Sequence, residues 1–478
     1  MGMGFPLFHY YQHLPHVVIA LFHVLTFGVF PTAELLNWTN YLILSLFPIS
    51  VYWSLRRFGF DRLTAATGGL VASLIGTAGI GGLSFASYVF KGWGVYTQVW
   101  AMTLLPPALA VSYRVLREGK GYVWATLLLA VTLISHLIYG YMAFLTLGAL
   151  TFLQPGRLLN AKSILKVMWR RWRRLIILLL LVAGVTSYFL VPFFLDRPYL
   201  NISVWDKASR YDSFGLVWVL NALATGDLFD FGRFPSLSIL VGSGFVICLL
   251  RWREDRYLIP VTIFLVWLTL YFGRATWGAL IDLLPLSRDL FMVRFIAGVH
   301  LGGIYLMAVA LATPWRWAIS RRSVLYLLIP LSLTLLILLP VYQERISELA
   351  LHDLALERNQ QALAAQNQDL NSLVDRLKKL PPGRVYAGQI HSVITHWGER
   401  YRVGDSVSVF HLLLAENLDM MGVVYHRYSL NSDLEMIFDE NRWEQYNLYN
   451  MRYVVASEGL KFPDFVKPLQ QFGRHRLY

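Results

Sequence analysis

The residues with the most chemical capacity in this 478-residue chain cluster in two stretches. The first, DRPYLNISVWDKASRYDSFGLVWVLNALATGDLFDFGRFPSLS, offers Asp196, Asp206, Lys207, Arg210, Asp212, Asp227, Asp230 and Arg233. The second, DLLPLSRDLFMVRF, holds Arg288, Asp289 and Arg294. A carboxylate in such a loop could bind a divalent cation or act as general base, and a guanidinium could clamp a phosphate through two parallel N–H groups. The competing reading is structural, with Asp212, Asp227 and Asp230 as helix caps and Arg294 as an interfacial arginine that snorkels. His9, His13 and His16 share one helical face, where three imidazoles could hold Zn²⁺. Pro15 disrupts that helix and no carboxylate or cysteine completes the set, so interfacial histidines are expected and no metal site. The single cysteine, Cys248, lies in an apolar segment and allows no internal disulfide.

What must position these loops follows from composition. The chain is 56% hydrophobic and 15% charged, with a mean hydropathy of +0.49. Soluble domains carry about 25% charged residues, so a water-solvated surface of normal size cannot be built. Sixteen Trp, 26 Tyr and 29 Phe fit membrane interfaces. The chain reads as a polytopic membrane protein, which excludes a cytosolic enzyme, a fibrous protein and a disordered regulator. The net charge of +13 sits in short basic loops at every second gap between apolar segments. They include Arg56 and Arg57, then Arg114, Arg117 and Lys120, the run from Lys162 to Arg174, and later Arg251 to Arg256. That is the positive-inside pattern of cytoplasmic loops, and it implies no nucleic-acid partner. The run from Lys162 to Arg174 also suits anionic lipid headgroups.

About 20 apolar residues cross the hydrocarbon core as a helix. The expected spans are 38–55, 64–83, 95–113, 121–135, 138–154, 174–195, 236–251, 257–272, 293–312 and 324–342. Residues 1–37 are an eleventh span or a juxtamembrane helix on the outer face. The predicted fold is an all-α polytopic membrane bundle over 38–342 with outer loops 196–235 and 273–292. A helical stalk over 343–380 follows, then an extracytoplasmic α+β domain over 381–478. Pro381-Pro382-Gly383 ends the stalk, and β-like runs are expected at 384–387, 406–410 and 452–456. No P-loop, Gly-x-Ser-x-Gly elbow, His-Glu-x-x-His or dinucleotide fingerprint is present, which argues against an ATP-driven pump or an NAD enzyme. No Asp or Glu falls mid-span, which weakens an ion-coupled transporter.

Several segments in order resemble the GT-C superfamily of multi-span glycosyltransferases, most closely bacterial proteins of the YfhO and dolichyl-phosphate-mannose mannosyltransferase type. They are GFPLFHYYQHLPHVVIALFHVLTFG near the start, GWGVYTQVWAMTLLPPALA at 92–110, SHLIYGYMAFL at 135–145, GDLFDFGRFPSLSILVGSG at 226–244 and LPLSRDLFMVRFIAGVHLGG at 284–303. GVVYHRYSLNSDLEMIFDE and YNLYNMRYVVAS continue it near the C-terminus. The resemblance implies transfer of a sugar from a polyprenyl-phosphate donor to an acceptor outside the cytoplasm, at the plasma membrane. It also implies an acidic base in the first external loop and basic residues on the donor phosphate. Residues 5–31 match the family's juxtamembrane stretch, whereas the first acidic residue is Glu34. The expectation is therefore that the sequence starts at an internal methionine or that the first span and acidic loop are lacking. In that case Asp212 or Asp206 is the expected base, and Arg210, Arg233, Arg288 and Arg294 the expected phosphate ligands. Two other classes stay open: a non-catalytic GT-C-like subunit that scaffolds a protein partner through its C-terminal outer domain or binds membrane lipid, and a transporter or flippase.

Overall fold

The computed structural model describes residues 7–77, 82–84, 96–153, 161–201, 203–205, 207–321, 323–389, 397–422 and 430–478. They form two compact units. One comprises Phe8–Phe194 and Lys207–Ile346; the other comprises Met1–Leu7, Leu195–Asp206 and Ser347–Tyr478.

The larger unit is helical. Its helices are α1 (Leu14–Leu25), α2 (Thr32–Arg57), α3 (Arg62–Ala72), α4 (Tyr96–Glu118), α5 (Tyr122–Ser135), α6 (Leu137–Thr151), α7 (Ala161–Val185), α8 (Ser187–Leu195), α9 (Ala208–Asp212), α10 (Leu216–Thr225), α11 (Ser236–Leu250), α12 (Asp255–Tyr271) and α13 (Ile296–Ser320). A further helix, α14 (Leu328–Lys379), begins in this unit and runs on into the other. α13 is the buried centre, packed against α3, α11 and α12. Its small residues permit close approach, as small-residue stripes do between membrane helices. A Cβ on Gly302, for example, would lie 2.6 Å from the Cα of Phe264 in α12.

Prolines inside these helices leave carbonyls unpaired, and neighbouring helices satisfy them. Pro107 has no N–H to offer the Thr103 carbonyl one turn earlier in α4. Ser50 of α2 donates to that carbonyl at 2.6 Å. Asp61 accepts from the Thr64 amide at 2.8 Å and so starts α3.

Among the described residues three helices, Tyr96–Glu118, Met292–Ser320 and Val324–Lys379, are long and apolar enough to cross a membrane. The number is five if the pairs bent by 83° between Val185 and Ser187 and by 72° between Tyr271 and Arg274 each count once. That is fewer than the ten or eleven spans expected, because α5, α6 and α11 hold only 14, 15 and 15 residues. The expected span 64–83 also stops being helical after Ala72. There the Gly76 amide leaves the helix and donates to the Phe229 carbonyl at 2.9 Å.

The smaller unit builds a mixed five-stranded sheet in the order β4-β1-β5-β7-β6. Its strands are β1 (Arg384–Tyr386), β4 (Met420–Met421), β5 (Met451–Ser457), β6 (Gln470–Phe472) and β7 (His475–Leu477). β2 (Arg402–Val403) and β3 (Val407–Ser408) form a separate antiparallel pair. β1 runs parallel to both β4 and β5, with Tyr386 opposite Met421 and Val454, while β5 and β7 are antiparallel. Alternation places Val385, Tyr453 and Val455 in a core with Leu373 and Leu377 of α14. Tyr386, Val454 and Ala456 face the opposite way, into an aromatic core with Phe438, Tyr446 and Tyr478. Within this unit the segment Leu195–Asp206 is held by Asp433, which accepts from Asn201 Nδ2 at 2.8 Å and from the Ser203 hydroxyl at 2.5 Å.

Candidate functional site

The helical unit gathers a polar cluster around Arg294. A 3₁₀ turn at Met292–Phe295 leads into α13 and turns this side chain inward. Its Nη1 donates to Gln98 Oε1 of α4 at 2.6 Å and lies 3.3 Å from His136 Nε2. Since a guanidinium only donates, His136 faces it with a lone pair and carries its proton on Nδ1. His136 occupies the break between α5 and α6, with extended backbone at φ −158° and ψ 110°. Gln98 in turn donates through Nε2 to the Gly82 carbonyl at 3.1 Å.

Aromatic hydroxyls and rings complete the cluster. Tyr139 of α6 sets its ring edge-on to His136 with centroids 5.1 Å apart. The Tyr11 hydroxyl is 3.1 Å from Thr97 Oγ1, beside Gln98. His16 of α1 lies against the rings of Tyr11 and Tyr96 at 6.4 and 5.6 Å. Among the described residues no carboxylate pairs with Arg294, although it is only partly exposed. A half-buried cation whose neighbours are an amide, an imidazole and phenols is a place where an anion is stabilised.

The other expected residues divide. α9, which carries Arg210 and Asp212, packs on the Arg294 turn, and Tyr211 meets Phe291 edge-on at 4.8 Å. Asp212 is 3.2 Å from Arg274, which also reaches Asp282 at 2.8 Å. Ser287 donates to Asp282, and Arg288 beside it is exposed. Arg233 lies elsewhere, in a clamp. Its Nη1 is 3.0 Å from Glu344 and its Nη2 donates to the carbonyls of Leu74 and Phe229 at 2.9 and 3.0 Å. Asp230 lies 3.8 Å from it. That carboxylate also accepts from the amides of Leu237 and Ser238, capping α11. Burial pushes the Asp230 carboxyl above its usual range, and the two amide hydrogen bonds work against that rise. Asp206 lies outside the described residues.

His9, His13 and His16 do not share a face. α1 begins only after His13, with Pro15 in its first turn, and His13 Nε2 pairs with the Tyr188 hydroxyl at 2.8 Å. Among the described residues no group of three His, Cys, Asp or Glu side chains is placed to hold a metal ion. Gln98, Tyr139 and Tyr11 were not singled out from the sequence. The available signal was Gln98 itself, an amide in the otherwise apolar run YTQVWAMTLL.

No family model matches the sequence, and no curated protein does. Solved structures of the oligosaccharyltransferase from Archaeoglobus fulgidus do match. The protein AglB in complex with an inhibitory peptide and a dolichol-phosphate superposes with a TM-score of 0.53 at 11% identity, covering 95% of this chain and 64% of that one. The apo form gives 0.52 at 10% identity over 94% and 62%. The form tethered to an acceptor peptide containing the NVT sequon gives 0.50 at 12% identity over 95% and 63%. The chain thus spans less than two thirds of the length of these proteins. At such identities the likeness is one of architecture: this chain shares the fold of the archaeal oligosaccharyltransferase structures.

Proposed function

We propose that the chain is a membrane glycosyltransferase of GT-C type that uses a polyprenyl-phosphate-linked sugar. The observation that carries this reading is Arg294, an unneutralised, half-buried cation among hydrogen-bonding groups at the start of the central helix. The archaeal structure of the same architecture holds a dolichol-phosphate. In the proposed reaction an acceptor hydroxyl attacks the anomeric carbon as the bond from that carbon to the phosphate oxygen breaks. Negative charge grows on the departing lipid phosphate, and Arg294 stabilises it where it develops. Arg210 and Arg288, on the neighbouring α9 and the 284–291 loop, are proposed as auxiliary phosphate ligands. Arg233 is the least available of the four, being already engaged by two carboxylates. Asp212 is proposed as the base that takes the acceptor's proton, oriented by Arg274. The positive-inside pattern of the basic loops supports an outer-face position for Arg294 at the plasma membrane.

Turnover of a short polyprenyl-phosphate sugar by Arg294→Ala and Asp212→Asn tests this. Loss of donor binding in the first and of turnover alone in the second is expected; wild-type rates in both would refute it. A second reading is a non-catalytic subunit of the same fold. The pairing of Asp212 and Asp282 with one arginine favours it, since each carboxylate then has a structural partner. Under that reading Asp212→Asn leaves lipid-phosphate binding intact, and no preparation transfers sugar.

A further inference from the structure

A cavity of about 300 Å³ lies between α2, α4 and α5, among residues with no part in the Arg294 site. Arg57 at the end of α2, Arg114 of α4 and Lys120 in the turn before α5 put three cations around it. The rest of its lining is apolar apart from Gly121, formed by Val111, Leu128 and Ala110 with the indoles of Trp53 and Trp124. Trp124 is 68% exposed and Val123 beside it 70% exposed. Arg57 stacks on the Trp53 ring at 4.7 Å, which holds its guanidinium over the cavity.

Charge accounting supports an anion there. Among the described residues Glu118 is the carboxylate nearest to hand, bound to Arg114 Nε at 2.8 Å and exposed. It pairs with Arg114 and also lies within electrostatic reach of Lys120, so one carboxylate faces three cations and the cavity keeps a net positive charge. α5 also starts at Gly121 with no side-chain cap, so its first amides add a favourable partial charge to a site the cations already define. The Gly121 Cβ position is open, with nothing within 4 Å. Basic groups alone would suit any phosphate. The apolar lining and the indoles select one attached to acyl chains, because tryptophan favours the headgroup level and Val111 and Leu128 would contact hydrocarbon.

We propose that this cavity is a binding site for the phosphodiester headgroup of an anionic phospholipid. Arg57 and Lys120 hold the phosphate, Trp53 and Trp124 border the glycerol level, and the acyl chains pass over Val111 and Leu128. The site is independent of the sugar-transfer reading and lies in loops that follow the positive-inside pattern.

The test uses the full chain purified in a neutral detergent, with lipid retention read by native mass spectrometry. Phosphatidylglycerol and phosphatidylcholine are added in turn. The unaltered protein should retain the anionic lipid, and Arg57→Gln with Lys120→Gln should lower its affinity at least about tenfold. The control Arg253→Gln with Arg321→Gln removes the same charge from other loops and should change affinity less than about twofold. Equal losses in the two double variants would show general surface charge and overturn the proposal. Competition by millimolar inorganic phosphate, without preference for the lipid, would overturn it as well. Trp124→Ala, which changes no charge, should weaken retention of the lipid but not of phosphate; an unaltered lipid affinity there would count against the assigned geometry. Thermal unfolding of each variant confirms that the bundle is intact.

Discussion

Arg233 and Arg294 are the same residue type, both placed by sequence in loops flanking apolar helices, and the molecule treats them oppositely. Arg233 is nearly buried, with Glu344 at 3.0 Å, Asp230 at 3.8 Å and two backbone carbonyls filling its fork. Arg294 has a neutral amide and a neutral imidazole edge instead. The first cation is spent on holding the 226–235 loop to α14 within the helical unit. The second meets no carboxylate among the described residues, which is why it is the one proposed to bind a phosphate. Residue type and loop position alone do not separate a strut from a binding group. The count of opposite charges around each does.

The largest expected effect breaks the strut. Arg233→Ala leaves Glu344 and Asp230 without their cation in a buried setting, and loss of one partner of such a pair costs about 3–5 kcal/mol. Thermal or denaturant unfolding in detergent measures it. Replacing Arg233 by Met together with Glu344→Gln should recover part of the loss, since one of the two stranded charges is then removed. If Arg233→Ala proves as stable as the parent, the clamp is not structural and the contrast with Arg294 fails.

The next effect is on ligand rather than fold. Arg294→Ala should reduce binding of a polyprenyl phosphate by roughly 10- to 100-fold, the range for a charged hydrogen bond of about 1.5–3 kcal/mol. Its stability cost should stay near 1–2 kcal/mol, because the Gln98 and His136 contacts and a 5.9 Å cation–π contact with Phe291 are lost without stranding a charge. Arg294→Lys should recover part of the affinity and less of the turnover, since an ammonium lacks the planar fork. A third variant, Gln98→Leu, keeps the charge but removes the acceptor that aims it. A several-fold loss of affinity is expected, read by the same binding assay, and no loss would mean that Gln98 serves only the Gly82 carbonyl.

Much of this arrangement was legible before the fold was known, and the limits have identifiable causes. Arg294 stood out because a charge opened an apolar run, and the start of α14 because its first 15 residues, 328–342, are almost wholly apolar. The partners of Arg294 did not, since Gln98 and His136 lie 196 and 158 residues away in sequence. Arg233 was assigned to phosphate for the same reason, its neutralising Glu344 being 111 residues distant. The GGLVASLIGTAGIGG stretch read as a continuous span because small residues score as apolar. In the structure they let the backbone leave α3 and pair Gly76 with Phe229. In the smaller unit β5 was visible as MRYVVAS, whereas β4 is two residues long and carries no alternation. The helix expected over 343–380 is the far part of α14, continuous with the last apolar segment, since no proline or glycine interrupts it after Pro340.

The smallest effect extends the contrast to the other unit, where two buried groups are held uncharged instead of paired or reserved. Burial lowers the His475 pKa to about 4 from 6.5, and burial likewise raises that of Glu435 to about 7 from 4.5. Neutral His475 accepts from the Tyr401 hydroxyl at 2.6 Å and donates to Gln366 Oε1 at 3.0 Å. Between about pH 4 and 6.5 the unfolded chain protonates this histidine and the folded one does not, so His475 makes stability rise with pH. Between about pH 4.5 and 7 the unfolded chain ionises Glu435 and the folded one does not, so Glu435 makes stability fall with pH. The two slopes oppose each other over pH 4.5–6.5, and the intact protein should show little pH dependence from this pair there. Glu435→Gln removes the falling slope and should expose a gain of roughly 2 kcal/mol from pH 4.5 to 6.5, after allowing for solvent screening of His475. Unfolding midpoints of the variant at those two pH values decide it. A flat profile in Glu435→Gln would mean that His475 is charged in the fold and that the unit pairs its buried groups as the Arg233 clamp does.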